Sequence, residues 1–217
     1  TDKRCVKIQS SIVKVVGMEK PANGTMTTGR LYAGSTSATD LANNSTMDFA
    51  DKDKDGNGDP FYPIFTTKPD AMTVWVKFKG NVKDYPNATV KAILANDKVQ
   101  DPEKDDYKKN VIARATNATI ESKNFAWQEL NIPFKYENKN TPKGMLVTIS
   151  TNAEAGKASS DKNNLDVIYV DDIAMIYNSG LKSAQYKNTN LSFANNKAAI
   201  EIEGKANKAD FSIASDG

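Results

Sequence analysis

Aspartates at every second position open the question of chemistry in this chain. In the stretch DKDKDGNGD, Asp51, Asp53, Asp55, Gly56, Asn57 and Asp59 occupy positions 1, 3, 5, 6, 7 and 9 of a calcium-loop pattern. Calcium takes roughly six to eight hard oxygens at ~2.3–2.6 Å, and alternate carboxylates on a tightly curled loop can converge on one ion. Position 12, however, is Tyr62, where an EF-hand needs a bidentate glutamate, and Pro60 and Pro63 forbid the exiting helix. An EF-hand is therefore excluded. Two readings remain open: a helix-free calcium loop of the kind found in extracellular β domains, or a solvated turn in which Lys52 and Lys54 offset the acids. A bound ion would stiffen the loop and need take no part in a reaction.

Two absences narrow the chemistry further. The 217 residues contain no histidine, which removes Ser-His-Asp and Cys-His nucleophiles, histidine general bases and imidazole zinc sites. Cys5 is the only cysteine, so neither an internal disulfide nor a thiolate cluster can form; beside Val6 and Ile8 it reads as a small core or edge residue. Glycoside hydrolysis by carboxylates alone needs no histidine, but no Asp or Glu pair is singled out by spacing. Lys plus Arg number 29 against 27 Asp plus Glu, without a basic cluster, which argues against a nucleic-acid partner. No apolar run approaches the ~20 residues that span a bilayer as a helix, so no transmembrane segment is expected. No signal peptide opens the sequence, as expected of a mature or trimmed exported chain, or of a cytosolic one.

The elements that must position these residues are strands. Apolar residues fall mostly at period two, in short runs separated by Gly, Pro, Asn and Asp. CVKIQSSIVKVV reads as one or two strands; AMTVWVKFKG, ATVKAILAN, NVIARATNATI, FAWQELNIPFKY, GMLVTIST and LDVIYVDDIAMIY each read as strand. VQDPEKDDYKKN, interrupted by Pro102 and nearly devoid of apolar residues, reads as a loop or a single helical turn. Many strands with long polar loops predict an all-β, two-sheet antiparallel sandwich over residues 1–180. Beyond it, residues 181–217 carry three short alternating runs, LSFA, AAIEIEG and ADFSIAS, expected to be a C-terminal β extension or the start of a second β domain.

Alternation also assigns faces. Trp75 shares one with Lys77 and Lys79, opposite Val74, Val76 and Phe78. A tryptophan among lysines either presents a ligand surface or covers the sheet beneath a loop. Trp127 shares a face with Glu129 and Asn131, and either binds or packs at the sandwich edge. Tyr107, Tyr85 and Tyr62 lie in loops as candidate rim contacts. Asp171 falls on the side of Tyr169, Ile173 and Met175 in an otherwise apolar strand, so its carboxylate needs a partner.

Four segments in order, TMTTGRLYAG, FYPIFTTKPDAMTVWVKFKG, FAWQELNIPFKY and LDVIYVDDIAMIYN, resemble the carbohydrate-metabolism domain family PCMD, found in surface and secreted proteins of polysaccharide-using gut bacteria. The resemblance covers about residues 5 to 178. It implies a jelly-roll sandwich like those of carbohydrate-binding modules and an exported protein at the cell surface or outside it. In such jelly rolls the position of Asp171 often helps to hold a structural calcium. The function expected is therefore non-catalytic capture of glycan, with sugar rings stacking on Trp75, Trp127 and Tyr107 and with Lys77 and loop polar groups bonding hydroxyls. The alternatives are a structural or adhesive domain whose partners are other cell-surface proteins, and a hydrolase using loop carboxylates.

Overall fold

The computed structural model of the chain describes residues 4–177, 181–186 and 200–204. In chain order the strands are β1 (Val6–Gln9), β2 (Ser11–Val15), β3 (Met18–Ala22), β4 (Thr25–Thr27), β5 (Arg30–Ala33), β6 (Asn43–Met47), β7 (Ala71–Lys79) and β8 (Ala88–Ala95). They continue as β9 (Val99–Asp101), β10 (Val111–Ile120), β11 (Trp127–Pro133), β12 (Lys135–Tyr136), β13 (Gly144–Ser150), β14 (Val167–Ile176), β15 (Leu181–Tyr186) and β16 (Ile200–Gly204). One 3-10 turn, Asp105–Asn110, lies in the segment expected to be a loop or a helical turn. The chain divides into two compact units, Thr1–Ile176 and Tyr177–Gly217.

In the first unit one sheet has the order β1-β14-β7-β11 and the other β12-β10-β8-β13-β4. Apart from the short β12, these are eight strands, and their pairing follows a rule. The first in sequence pairs with the last, β4 with β13, β7 with β11, and β8 with β10, all antiparallel. A long antiparallel hairpin rolled up on itself gives this arrangement, which is a jelly roll.

The roll is driven by the alternating strands. On β7, Met72, Val74, Val76 and Phe78 are fully buried and face the other sheet, where Val90, Leu94, Ile112 and Ile149 meet them. Full burial of side chains this size stabilises by about 1.5–3 kcal/mol each before conformational entropy is counted. β13, GMLVTIS, is buried along its whole length, so both faces of its sheet are covered.

The second face is covered by a small three-stranded sheet, β5-β6-β9. Met47 of β6 and Val99 of β9 pack onto Ile93, Val111 and Leu146 of the five-stranded sheet, and Phe49 and Tyr62 close this second core. Gly29 enters β5 so tightly that a Cβ there would stand 2.3 Å from the Thr46 carbonyl oxygen and 2.7 Å from Leu146. Only glycine passes that point, and it belongs to the TMTTGRLYAG segment.

In the second unit β15 pairs antiparallel with β16. Of the three runs expected there, AAIEIEG contains β16, while LSFA and ADFSIAS lie outside the described residues.

Candidate ligand-binding faces

The outer face of the four-stranded sheet carries Trp75 and Trp127, 38% and 41% exposed. The strand register builds the surroundings of each. Trp75 stands between Glu129 of β11 and Asp171 of β14; Lys77 stands between Trp127 and Tyr169. The Lys77 ammonium lies 4.2 Å from the Phe125 ring centroid and 6.0 Å from that of Tyr169, and the two rings meet edge-on at 5.9 Å. Asn124 and Phe125 both have positive φ, 52° and 57°, a conformation that side-chain-bearing residues seldom adopt. That turn brings the Phe125 ring onto Lys77. The lysine charge is thus engaged by rings, whereas both indoles are open to solvent over much of their surface.

Asp171 lies on this outer face with Tyr169, as alternation expects, but Met175, expected beside it, does not. β14 bulges after Asp171, and Asp172 adopts φ 46°. The register slips, so Met175 opposes Met72 and packs on the core, while Asp171 opposes Trp75. The Asp171 Oδ1 accepts the Asp172 amide at 3.0 Å. Near it Arg4, Cys5, Val6 and Met26 border an apolar hollow of about 400 Å³. Cys5 is exposed rather than a core residue, because its strand lies at the sheet edge and begins only at Val6.

The Asp-rich stretch is a tight hairpin. Asp53 donates its amide to the Asp59 carbonyl at 2.9 Å, and Phe61 donates to Asp51 at 3.1 Å. Its tip is curled by side chains. Asp55 accepts the Asn57 backbone amide at 3.0 Å and its side-chain amide at 2.8 Å, and Asn57 accepts the Asp59 amide at 2.9 Å. Gly56 and Gly58 supply the positive φ values, 90° and 82°. Asp51 turns the other way, to Arg30, which grips both its carboxylate oxygens and also donates to the Lys52 carbonyl at 2.9 Å. That pairing holds the Asp51 carboxyl below the usual carboxylate range. Asp53 leans on Asp55, and this contact raises its proton affinity. Among the described residues no three His, Cys, Asp or Glu side chains come close enough together to hold a metal ion.

Tyr107 lies apart from the tryptophans. On the 3-10 turn it stands 5.7 Å, ring centroid to ammonium, from both Lys98 and Lys104. It borders a groove of about 550 Å³ whose floor is the outer face of β5-β6-β9. Tyr32 forms the opposite wall, 49% exposed. Tyr62 is no rim residue: its ring packs 4.6 Å from Phe49 under the hairpin, because the second core needs a lid. Tyr85 carries the Lys157 ammonium at 4.8 Å.

Sequence reasoning passed over two features. Tyr32 was not picked out, although its segment was, since a lone Tyr between Leu31 and Ala33 shows no face. Asp166 looked like any loop acid. It is fully buried, and its carboxylate accepts the Asn81 amide at 2.6 Å, the Ser159 amide at 2.7 Å and the Asn152 side chain at 3.3 Å. It ties the connection after β7 to two points along the connection between β13 and β14.

No known protein family, no characterised protein and no solved structure matches the chain.

Proposed function

We propose that this is a non-catalytic, exported β-sandwich that captures glycan at the bacterial surface on the outer face of its four-stranded sheet. The observation that carries the reading is the placement of Trp75. It is an open indole on a rigid strand, flanked in register by Glu129 on one side and Asp171 on the other. Sugar rings present an apolar C–H face to an aromatic ring and hydroxyls at their edges, so a stacking platform bordered by carboxylate acceptors suits both. Trp127 and Tyr169, on either side of Lys77, extend the aromatic strip beyond one sugar residue.

The fold supports the assignment of roles. Binding platforms work best when the backbone beneath them is fixed, and β7 is the central strand most thoroughly buried on its other face. Carbohydrate microarray binding with Trp75→Ala is the direct test. Loss of signal at unchanged melting temperature supports the platform; undiminished binding by the variant overturns it. Release of reducing ends from a polysaccharide panel would overturn the non-catalytic reading.

A further inference from the structure

The groove on the other side of the sandwich has a chemistry of its own. Its floor is a β-ladder: Tyr32 opposes Asn44, and Thr46 opposes Gln100. Alternation turns Ser45, Met47 and Val99 inward, which leaves Tyr32, Asn44 and Thr46 facing out, with Gln100 nearly covered at the bottom of the groove. Tyr32 and Tyr107 provide aromatic walls. The volume, about 550 Å³, falls within the ~300–1,000 Å³ typical of small-molecule sites.

The charges in and around the groove are matched. Lys98 pairs with Asp48 at 2.9 Å, and Asp51 is held by Arg30. An anion would therefore have to displace Asp48 or Asp51 from its cation, and a cation would have to do the reverse. The floor amides are also fixed. Asn44 donates to the Leu41 carbonyl at 2.7 Å and its Oδ1 accepts the Thr46 hydroxyl, while Gln100 donates to Leu41 at 3.3 Å and to Pro102 at 3.1 Å. With both Gln100 protons directed at backbone, its Oε1 is the free end of the amide, and no described residue donates to it. The site thus offers aromatic faces, the Gln100 Oε1 acceptor and the Thr46 hydroxyl oxygen, without net charge. An apolar ligand would leave the Gln100 oxygen without a donor. A phosphate would find no unpaired cation.

We infer that this groove is a second binding site, for a neutral sugar residue of a glycan chain, with its ring against Tyr32 or Tyr107 and its hydroxyls on the Asn44, Thr46 and Gln100 floor. It shares only the ligand class with the Trp75 platform. The two lie on opposite faces of the sandwich, so one short oligosaccharide cannot reach both.

The test is a titration of 15N-labelled full chain with four neutral oligosaccharides, the hexamers of β-1,4-glucose, α-1,4-glucose, β-1,4-mannose and β-1,4-galactose, up to ~10 mM. An oligomer of galacturonic acid serves as the charged control. The backbone amides of Asn44, Thr46 and Gln100 report the groove, and the Trp75 indole reports the platform. At least one neutral hexamer is expected to shift the groove amides saturably. The acidic oligomer is expected not to. Tyr107→Ala should weaken the groove response about 10-fold, Tyr107→Phe should retain it, and Trp75→Ala should leave it unchanged. Tyr107 sits on an exposed turn, and Tyr32→Ala provides an independent wall should either variant lose its folded spectrum. Three outcomes overturn the inference: still groove amides across all four hexamers, groove shifts that follow only the acidic oligomer, and an undiminished response after removal of both tyrosine rings. Shifts at the indole alone would sink the groove and leave the platform standing; shifts at the groove alone would do the opposite.

Discussion

Arg30 and Asp51 clasp each other across 21 positions of chain, the guanidinium fork meeting both carboxylate oxygens. The same guanidinium lies 3.9 Å from the Phe61 ring centroid. One side chain thus fixes the two stems of the Asp-rich hairpin to β5, and with it one wall of the groove. Arg30→Lys keeps the charge and loses the fork, since an ammonium cannot present two parallel donors. Faster amide exchange at Asp53 and Phe61 is expected, with the exchange of β7 unaltered. Equal protection in the variant would show that Phe49 and Tyr62 alone hold the hairpin.

Acid should loosen the same region. Lys98 holds the Asp48 carboxyl below the usual carboxylate range, and Arg30 does so for Asp51. A depressed folded-state value means that the stability they contribute is complete above the unfolded value and lost as pH falls through the folded one. Asp53 runs the other way: Asp55 raises it, so its strain is present at neutral pH and relieved on acidification. Asp55 is itself held low, first by the Asn57 amide, so three depressed acids outweigh one raised one, and exchange at the groove should quicken below about pH 4. With no histidine in the chain, stability should be flat between about pH 5 and 8, as followed by thermal melts. A transition near pH 6.5 would contradict this.

Asp166 carries the largest single polar effect expected. Its buried carboxylate satisfies two backbone amides and one side-chain amide. Asp166→Ala strands those donors and should destabilise by about 3 kcal/mol, roughly 6–12 °C in melting temperature. Asp166→Asn should fall between, since its amide can accept one of the donated bonds but would oppose the others.

The strands with one face on the central core were legible because hydrophobic periodicity is local. β7 and β11 alternate in sequence as they do in burial, which put Trp75 and Trp127 outside. β6, NNSTM, gives no such sign. It buries Ser45 and Met47 only because β5 and β9 pair with it from a distance, so the groove floor could not be read. The bulge in β14 defeated alternation for a different reason: one added residue reverses every face beyond it, and DD is a weak marker of where that happens. Asp166 is invisible in sequence because its burial depends on donors from two loops, one of them 85 positions away.

Neighbouring residues on β7 should separate folding from binding. Val74 is fully buried in the central core, whereas Trp75 is 38% exposed beside it. Val74→Ala removes two methyl groups from a closed interior and should lower stability by about 1–3 kcal/mol without touching the platform. Trp75→Ala should change stability by less than about 1 kcal/mol and abolish binding on that face. Denaturant melts and carbohydrate microarrays on both variants read the two effects independently. If the pair behave alike, Trp75 belongs to the packing.

A calcium ion at the hairpin would meet geometry that is already committed. Asp51 would have to leave Arg30 to ligate an ion at the tip, and Asp55 and Asn57 would have to open the turn they close. The group an ion would help most is Asp53, whose contact with Asp55 is repulsive when both are ionised. Any rise in melting temperature on adding calcium, reversed by chelator, should therefore vanish in Asp53→Asn and survive in Arg30→Met. A calcium effect that survived Asp53→Asn would move the ion elsewhere, with Asp171 the next carboxylate to replace. A melting temperature indifferent to both calcium and chelator would leave the hairpin as a wall of the groove, held by Arg30 and its own turn bonds.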